Sequence, residues 1–216
     1  RANLHIRGVS EDSYADLIQG LTDLGLLEMD AAAEGRRNVI VAPFWQAGDR
    51  THDLAATLSR ALVDAVDLSL PAKFGFVVDT GRVPVLQDIS GDVRLERDAQ
   101  GHLLLCADGV ATGKAVTQNT AIAEALDLAR WFVATRYAHN RMATHLAAGA
   151  ALPPGHDVPR QEYRFSAVPG CTSEGALAGL SFGHLSAQTL AALAPHGDLR
   201  MTPWRMILIE GANQVP

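Results

Sequence analysis

Three basic positions stand where a side chain can be aimed into a cleft. Arg1 opens an alternating segment, Arg36-Arg37 precedes the apolar run Val39-Ile40-Val41-Ala42, and Lys73 follows Leu70-Pro71 at the head of another apolar run. Strand ends and the loops beside them are where ligand contacts collect. Cations converging from separate strands repel one another unless an anion lies between them, so the chemistry this pattern suits is anion binding. Taken singly, each is more simply an exposed charge; only their grouping favours a site. Several catalytic signatures are absent: there is no GxGxxG, Walker loop or HExxH. His139 and His145 are spaced for neither a helix face nor a strand face, and the histidines read as surface or internally satisfied groups. Asp49 and Asp53, with Arg50 and His52 among them, read as the solvated face of a helix.

Composition narrows the partners. Lys and Arg total 18 against 24 Asp and Glu, a formal charge of −6, which argues against general nucleic-acid binding. Lys73 and Lys114 are the only lysines. Codon bias in a GC-rich genome is the simpler source of this imbalance; the functional alternative is bidentate gripping of carboxylates or phosphates, which lysine does not do. Cys106 and Cys171 supply neither a disulfide framework nor a four-thiolate site within this chain. No run approaches eighteen apolar residues, the N-terminus lacks the order of a signal peptide, and so a cytoplasmic location without membrane insertion is expected.

The elements that must position these residues follow from periodicity. Ala2–Gly8 alternates like a half-buried strand. Ser10 caps an expected helix with the stripe Tyr14, Leu17, Ile18, Leu21 and Leu24, and Glu34-Gly35 marks a turn. Val39–Ala42 is an expected strand, 49–67 a helix with Leu54, Leu58, Leu62 and Val66 on one face, and Lys73–Asp79 a strand. Strands are expected at 92–96 and 102–107, a long helix at 120–137, and a linker at 147–159. Beyond it come a strand at 163–165, a short helix at 186–193 and a strand at 206–209. Interleaved strands and helices define an α/β (α+β) class. Residues 1–8 can be laid on 204–211, Leu4 on Ile207 and Gly8 on Gly211, which suggests two related halves.

Four segments carry a resemblance. Arg1-Ala2-Asn3-Leu4-His5-Ile6-Arg7-Gly8-Val9 resembles the Arg-x-x-ϕ-x-ϕ-x-Gly-ϕ strand that ends the first ferredoxin-like half-domain of siroheme sulfite and nitrite reductases. Arg37-Asn38-Val39-Ile40 before Pro43 resembles their Arg-Asn-Val/Ile segment, and Leu70-Pro71-Ala72-Lys73-Phe74 their Leu-Pro-x-Lys-Phe motif. Leu199-Arg200-Met201-Thr202-Pro203-Trp204-Arg205 is similar to the Arg-Leu-Thr-Pro-Trp-Arg segment of the second half-domain, in the form typical of the precorrin-3B synthase branch.

The resemblance implies a nitrite/sulfite reductase-like core: residues 1–30 as the end of the first ferredoxin-like half-domain, 31–150 as the central α/β domain and 151–216 as an incomplete second half-domain. It implies that Arg1, Arg37 and Lys73 line a tetrapyrrole cleft, with Arg205 and His5 beside them. The fourth cation of the reductase anion site is replaced by Gly75, which turns the expectation from sulfite or nitrite towards a precorrin rimmed with carboxylates. The family activity is O₂-dependent oxidation of a precorrin, with hydroxylation and lactone formation in cobalamin biosynthesis, using a [4Fe–4S] cluster, iron and a reductant. Neither cysteine matches the cluster's cysteine pairs, so the expectation is a trimmed core that holds the cleft, binds no metal through its own ligands and is inactive alone. Strand edges left bare in such a core would favour pairing between chains. Two alternatives stay open: a siroheme-dependent sulfite or nitrite reductase, and a non-catalytic tetrapyrrole-binding module.

Overall fold

A computed structural model describes residues 3–215; Arg1 lies outside them. Residues 3–10, which take in the described part of the strand expected over 2–8, carry no regular secondary structure and are exposed. Alternation alone does not make a strand, because each N–H and C=O needs a neighbour to pair with. Helix α1 (Glu11–Asp23) starts after Ser10 as expected, yet the Ser10 hydroxyl bonds Ser13 Oγ at 2.8 Å rather than a backbone N–H, and no residue of α1 is buried. The turn expected at Glu34-Gly35 is instead the end of helix α2 (Ala31–Arg36), capped by Asp30, which accepts from Ala32 N at 2.9 Å. Arg36 ties α2 down by donating to the carbonyls of Leu62 and Val63 at 2.9 and 2.8 Å.

Strand β1 (Val39–Val41), helix α3 (Thr51–Asp64) and strand β2 (Phe76–Val78) form a parallel βαβ unit. Leu54, Leu58 and Leu62 are buried at the expected four-residue spacing, whereas Val66 lies past the helix end and is 83% exposed. Strand β3 (Val93–Arg97) adds in parallel to β2. Strands β4 (Leu103–Ala107) and β5 (Thr112–Ala115) continue antiparallel, followed after helices α4 (Ala121–Thr135) and α5 (Met142–Ala147) by β6 (Val158–Pro159). The six strands lie in chain order. Successive side chains point to opposite faces of a strand. Phe76, Val78, Val93 and Leu95 therefore pack under α3 and α4 with Leu58 and Phe132, while Ile40 and Val77 join Leu86, Phe44, Phe165 and Trp204 on the other face.

A second, antiparallel sheet has the order β7 (Gly170–Cys171), β8 (Gly175–Gly179), β10 (Met206–Glu210), β9 (Leu199–Met201). Helix α6 (Ala187–Leu193), capped by Ser186, packs Leu193 on Ala178, Ile207 and Ile209. The strand expected at 163–165 is absent: Phe165 directs its ring against Phe44 and Trp204, centroids 5.5 and 5.1 Å away, and that anchoring replaces pairing. Thr202–Arg205 is the turn between β9 and β10, with Arg205 at φ 59°. Arg200 joins the two sheets. It donates to the carbonyls of Pro43 and Trp45, both at 2.7 Å, and lies 3.5 Å above the Trp45 ring. The chain is thus a mixed α/β fold with a six-stranded and a four-stranded sheet.

Candidate functional site

The parallel strands present two ends, and of the residues singled out by sequence only Arg37 and Lys73 meet at one of them. At the N-terminal end, Val39 pairs with Phe76, and Asn38 Nδ2 donates to Phe74 O at 2.8 Å. This brings the lead-in segments carrying Arg37 and Lys73 side by side. Arg37 is already engaged: it donates to the carbonyls of Gly25 and Leu26 at 3.3 and 3.0 Å and pairs with Glu34 at 3.0 Å, with Glu28 at 3.8 Å. Lys73 sits exposed in a turn and has no ion pair or side-chain hydrogen bond. Gly75 is enclosed, because a Cβ there would stand 2.7 Å from Asn38 Nδ2, and its N–H donates to Asp92 Oδ2 at 3.0 Å. A larger side chain at 75 would displace the Asn38 bond that holds the two lead-ins together. His5 and Arg205 are exposed, without side-chain hydrogen bonds or ion pairs, and nothing ties either to Arg37 or Lys73.

The C-terminal end opens into a cleft of about 1300 Å³ between the loops after β1, β2 and β3 and the β7–β8 edge of the second sheet. Loops at strand ends are where ligand contacts collect, and the strand order here, which follows the chain, contains no switch point of the doubly wound kind. Asp79, directly after β2, lines this cleft at 1% exposure. Its Oδ2 accepts from Val85 N and Leu86 N at 2.8 and 2.7 Å, while Oδ1 is buried without a hydrogen-bond partner. Burial pushes its carboxyl up to about 6, and the neighbouring Glu96 carboxylate adds to the rise.

Around Asp79 the polar groups form one connected patch. Thr80 Oγ1 and Thr51 Oγ1 share a buried hydrogen bond of 2.8 Å. Arg97 is fixed by donating from Nε to Thr80 O and from Nη1 to Gly101 O, both at 2.7 Å, and has no carboxylate partner. Arg50, at φ 64° before α3, and Arg82 are exposed at the rim, also without ion pairs. Asp49, expected as part of a solvated face, is instead a cap: Oδ1 accepts from Thr51 N and Oδ2 from Gln46 N, each at 2.8 Å.

Glu96, two strand positions from Arg94, shows what a compensated buried acid looks like. It is 1% exposed, and burial pushes its carboxyl up, but Arg94 and Arg160 outweigh that and hold it below its usual value. Arg94 Nε reaches Glu96 Oε1 at 2.7 Å, and Arg160 grips both oxygens at 3.0 and 2.7 Å. Asp92 is similarly held, by Arg141 Nε and by Met142 N. Asp79 has no such partner. Sequence reasoning passed over it because a single Asp ending a strand has no motif; its one signal is its place after three apolar residues and before Thr80-Gly81.

The cysteines do not fit an iron–sulfur cluster. Cys106 is buried in β4, where burial pushes its thiol up to about 12, and Cys171 lies on the other sheet with Sγ 3.2 Å from Asn213 O. A [4Fe–4S] cluster needs a thiolate set these two cannot supply. Among the described residues, no group of three or more His, Cys, Asp or Glu is placed to hold a metal ion. His145 is buried and satisfied, Nε2 lying 3.0 Å from Thr135 Oγ1, and no described helix is long and apolar enough to cross a membrane. No family model matches the sequence, and no curated protein matches it.

Proposed function

We propose that the chain is the tetrapyrrole-binding core of a precorrin-3B synthase-like enzyme, with the nitrite/sulfite reductase-type arrangement of a central α/β domain and ferredoxin-like half-domains. One observation carries this reading. The Arg-Asn-Val and Leu-Pro-x-Lys-Phe segments, far apart in sequence, run side by side at the same end of adjacent parallel strands and are stitched together by Asn38. A shared ligand site requires that adjacency; the parallel β1–α3–β2 unit supplies it, and the two segments supply its cations. In this reading Lys73 and Arg37 meet peripheral carboxylates of a precorrin, and Arg205, Arg1 and His5 are secondary contacts. Enclosure of Gly75 favours a precorrin over sulfite or nitrite, since a fourth cation does not fit beside Asn38. The antiparallel sheet with α6 on one face suits the half-domain assignment. The cluster, iron and reductant of the full reaction come from outside these residues, in the cytoplasm.

The test is fluorescence titration with uroporphyrin, a tetrapyrrole rimmed with acetates and propionates. Saturable binding is expected, weakened about tenfold in Lys73→Ala, the loss of one charge-assisted contact. Equal affinity in wild type and variant, or no saturable binding, rejects the reading. A siroheme absorption band in the purified protein would favour the reductase alternative.

A further inference from the structure

We infer that the cleft at the C-terminal ends of β1, β2 and β3 is a second ligand site, and that it takes a phosphorylated sugar: hydroxyls on Asp79 and the Thr51–Thr80 pair, phosphate on Arg50 and Arg82. This goes beyond the tetrapyrrole reading and does not depend on it, since Arg37 and Lys73 lie at the opposite end of the same strands.

The argument begins with the unmatched acceptor. A buried polar atom without a partner is uncommon and costly, and Asp79 Oδ1 is one, on a residue that lines the cleft. Its companion Oδ2 is held by two backbone N–H groups, so the carboxylate is fixed in place for an incoming O–H or N–H donor. The Thr51–Thr80 pair adds to this. When one hydroxyl donates to the other, the second keeps its own proton free for a ligand oxygen. Arg97, which lines the same cleft, is clamped by two carbonyls and keeps Nη2 without a hydrogen bond. An acceptor, a hydroxyl donor and a guanidinium lining one cleft match a row of ligand hydroxyls, each of which donates and accepts.

The other half of the ligand follows from the rim. Arg50 and Arg82 have no carboxylate partner, and arginine suits phosphate through paired N–H donors. At the start of α3 Asp49 accepts from Thr51 N, which sets a carboxylate beside the helix end. That neighbouring carboxylate makes the helix end a poorer anion contact than the two arginines. The Phe44–Phe165 pair gives the cleft an apolar side against which the C–H face of a sugar ring can lie. A cleft of about 1300 Å³ holds a monosaccharide phosphate with room to spare, which leaves space for a further substituent on the sugar.

Isothermal titration calorimetry with glucose 6-phosphate and ribose 5-phosphate tests this, with glucose, ribose and inorganic phosphate as the separate halves. Saturable binding of at least one sugar phosphate is expected, about tenfold or more tighter than either of its halves. Asp79→Asn should weaken it about tenfold or more: the amide oxygen can still accept from Val85 and Leu86, but an N–H₂ then replaces the free acceptor. Arg82→Ala, exposed and without partners, should weaken it similarly and decides the matter if Asp79→Asn does not fold. The inference is overturned if no sugar phosphate binds, if inorganic phosphate binds as tightly as the sugar phosphate, or if the folded variants bind like wild type.

Discussion

At the N-terminal end of β1 and β2, the charged groups are cations that are either matched or solvated: Arg37 is latched to a loop and two glutamates, and Lys73 stands in water. At the C-terminal end the distinctive charge is an acid, buried, with one oxygen unmatched. The first arrangement costs the fold little, and in the proposed reading it meets a large anionic ligand at its surface. The second holds a group in a state that folding alone does not favour, which is where perturbed acids at functional sites are found. The two ends of one sheet thus teach different lessons. Motifs of charged residues were readable at the end where charges are cheap, and the more strained chemistry lies where no motif was present.

That contrast can be broken or sharpened by substitution. The largest effect is expected where a buried charge is compensated. Glu96→Ala leaves Arg94 and Arg160 without their shared partner and should destabilise by about 3–5 kcal/mol in urea unfolding. Asp79→Asn should act in the opposite sense. The Asp79 carboxyl rises from 3.8 to about 6 on folding, so the folded state holds the extra proton between those values. Stability from this group is greatest below about pH 4, falls as pH rises through 6, and is level above it. The variant should therefore gain up to about 3 kcal/mol over wild type at pH 8 and little at pH 4, read from unfolding curves at the two pH values. Arg37→Ala should lose about 1–2 kcal/mol by releasing the loop carbonyls of Gly25 and Leu26. Lys73→Ala should change stability by less than about 0.5 kcal/mol, because it touches nothing in the fold. An Asp79→Asn protein less stable than wild type at pH 8 would mean that its carboxylate is compensated after all.

Much of the central unit was legible in sequence. Leu54, Leu58 and Leu62 mark α3 through their spacing, and Phe76–Val78 and Leu103–Ala107 are apolar runs that become buried strands. Elements that depend on distant partners were not. Leu4 and Ile6 alternate as well as many strands do, yet find no neighbour to pair with; Phe165 gives up pairing to anchor its ring beside Phe44. Gly175–Gly179 is a strand made of glycine, alanine and one leucine, set by its pairing with β10 rather than by propensity. The lead-ins carrying Arg37 and Lys73 run side by side because β1 and β2 pair in parallel, and the motif segments mark where those strands begin. The cleft was not expected, because its lining comes from the loops after three strands and from a second sheet, and no single segment carries its pattern.

The central claim is that Lys73 and its neighbours, and not the opposite cleft, meet a tetrapyrrole. Parallel uroporphyrin titrations of wild type, Lys73→Ala and Asp79→Asn test it most directly. The account predicts saturable binding that weakens about tenfold in Lys73→Ala and is unchanged in Asp79→Asn. Binding lost in Asp79→Asn and kept in Lys73→Ala would contradict it and move the tetrapyrrole to the other end of the sheet.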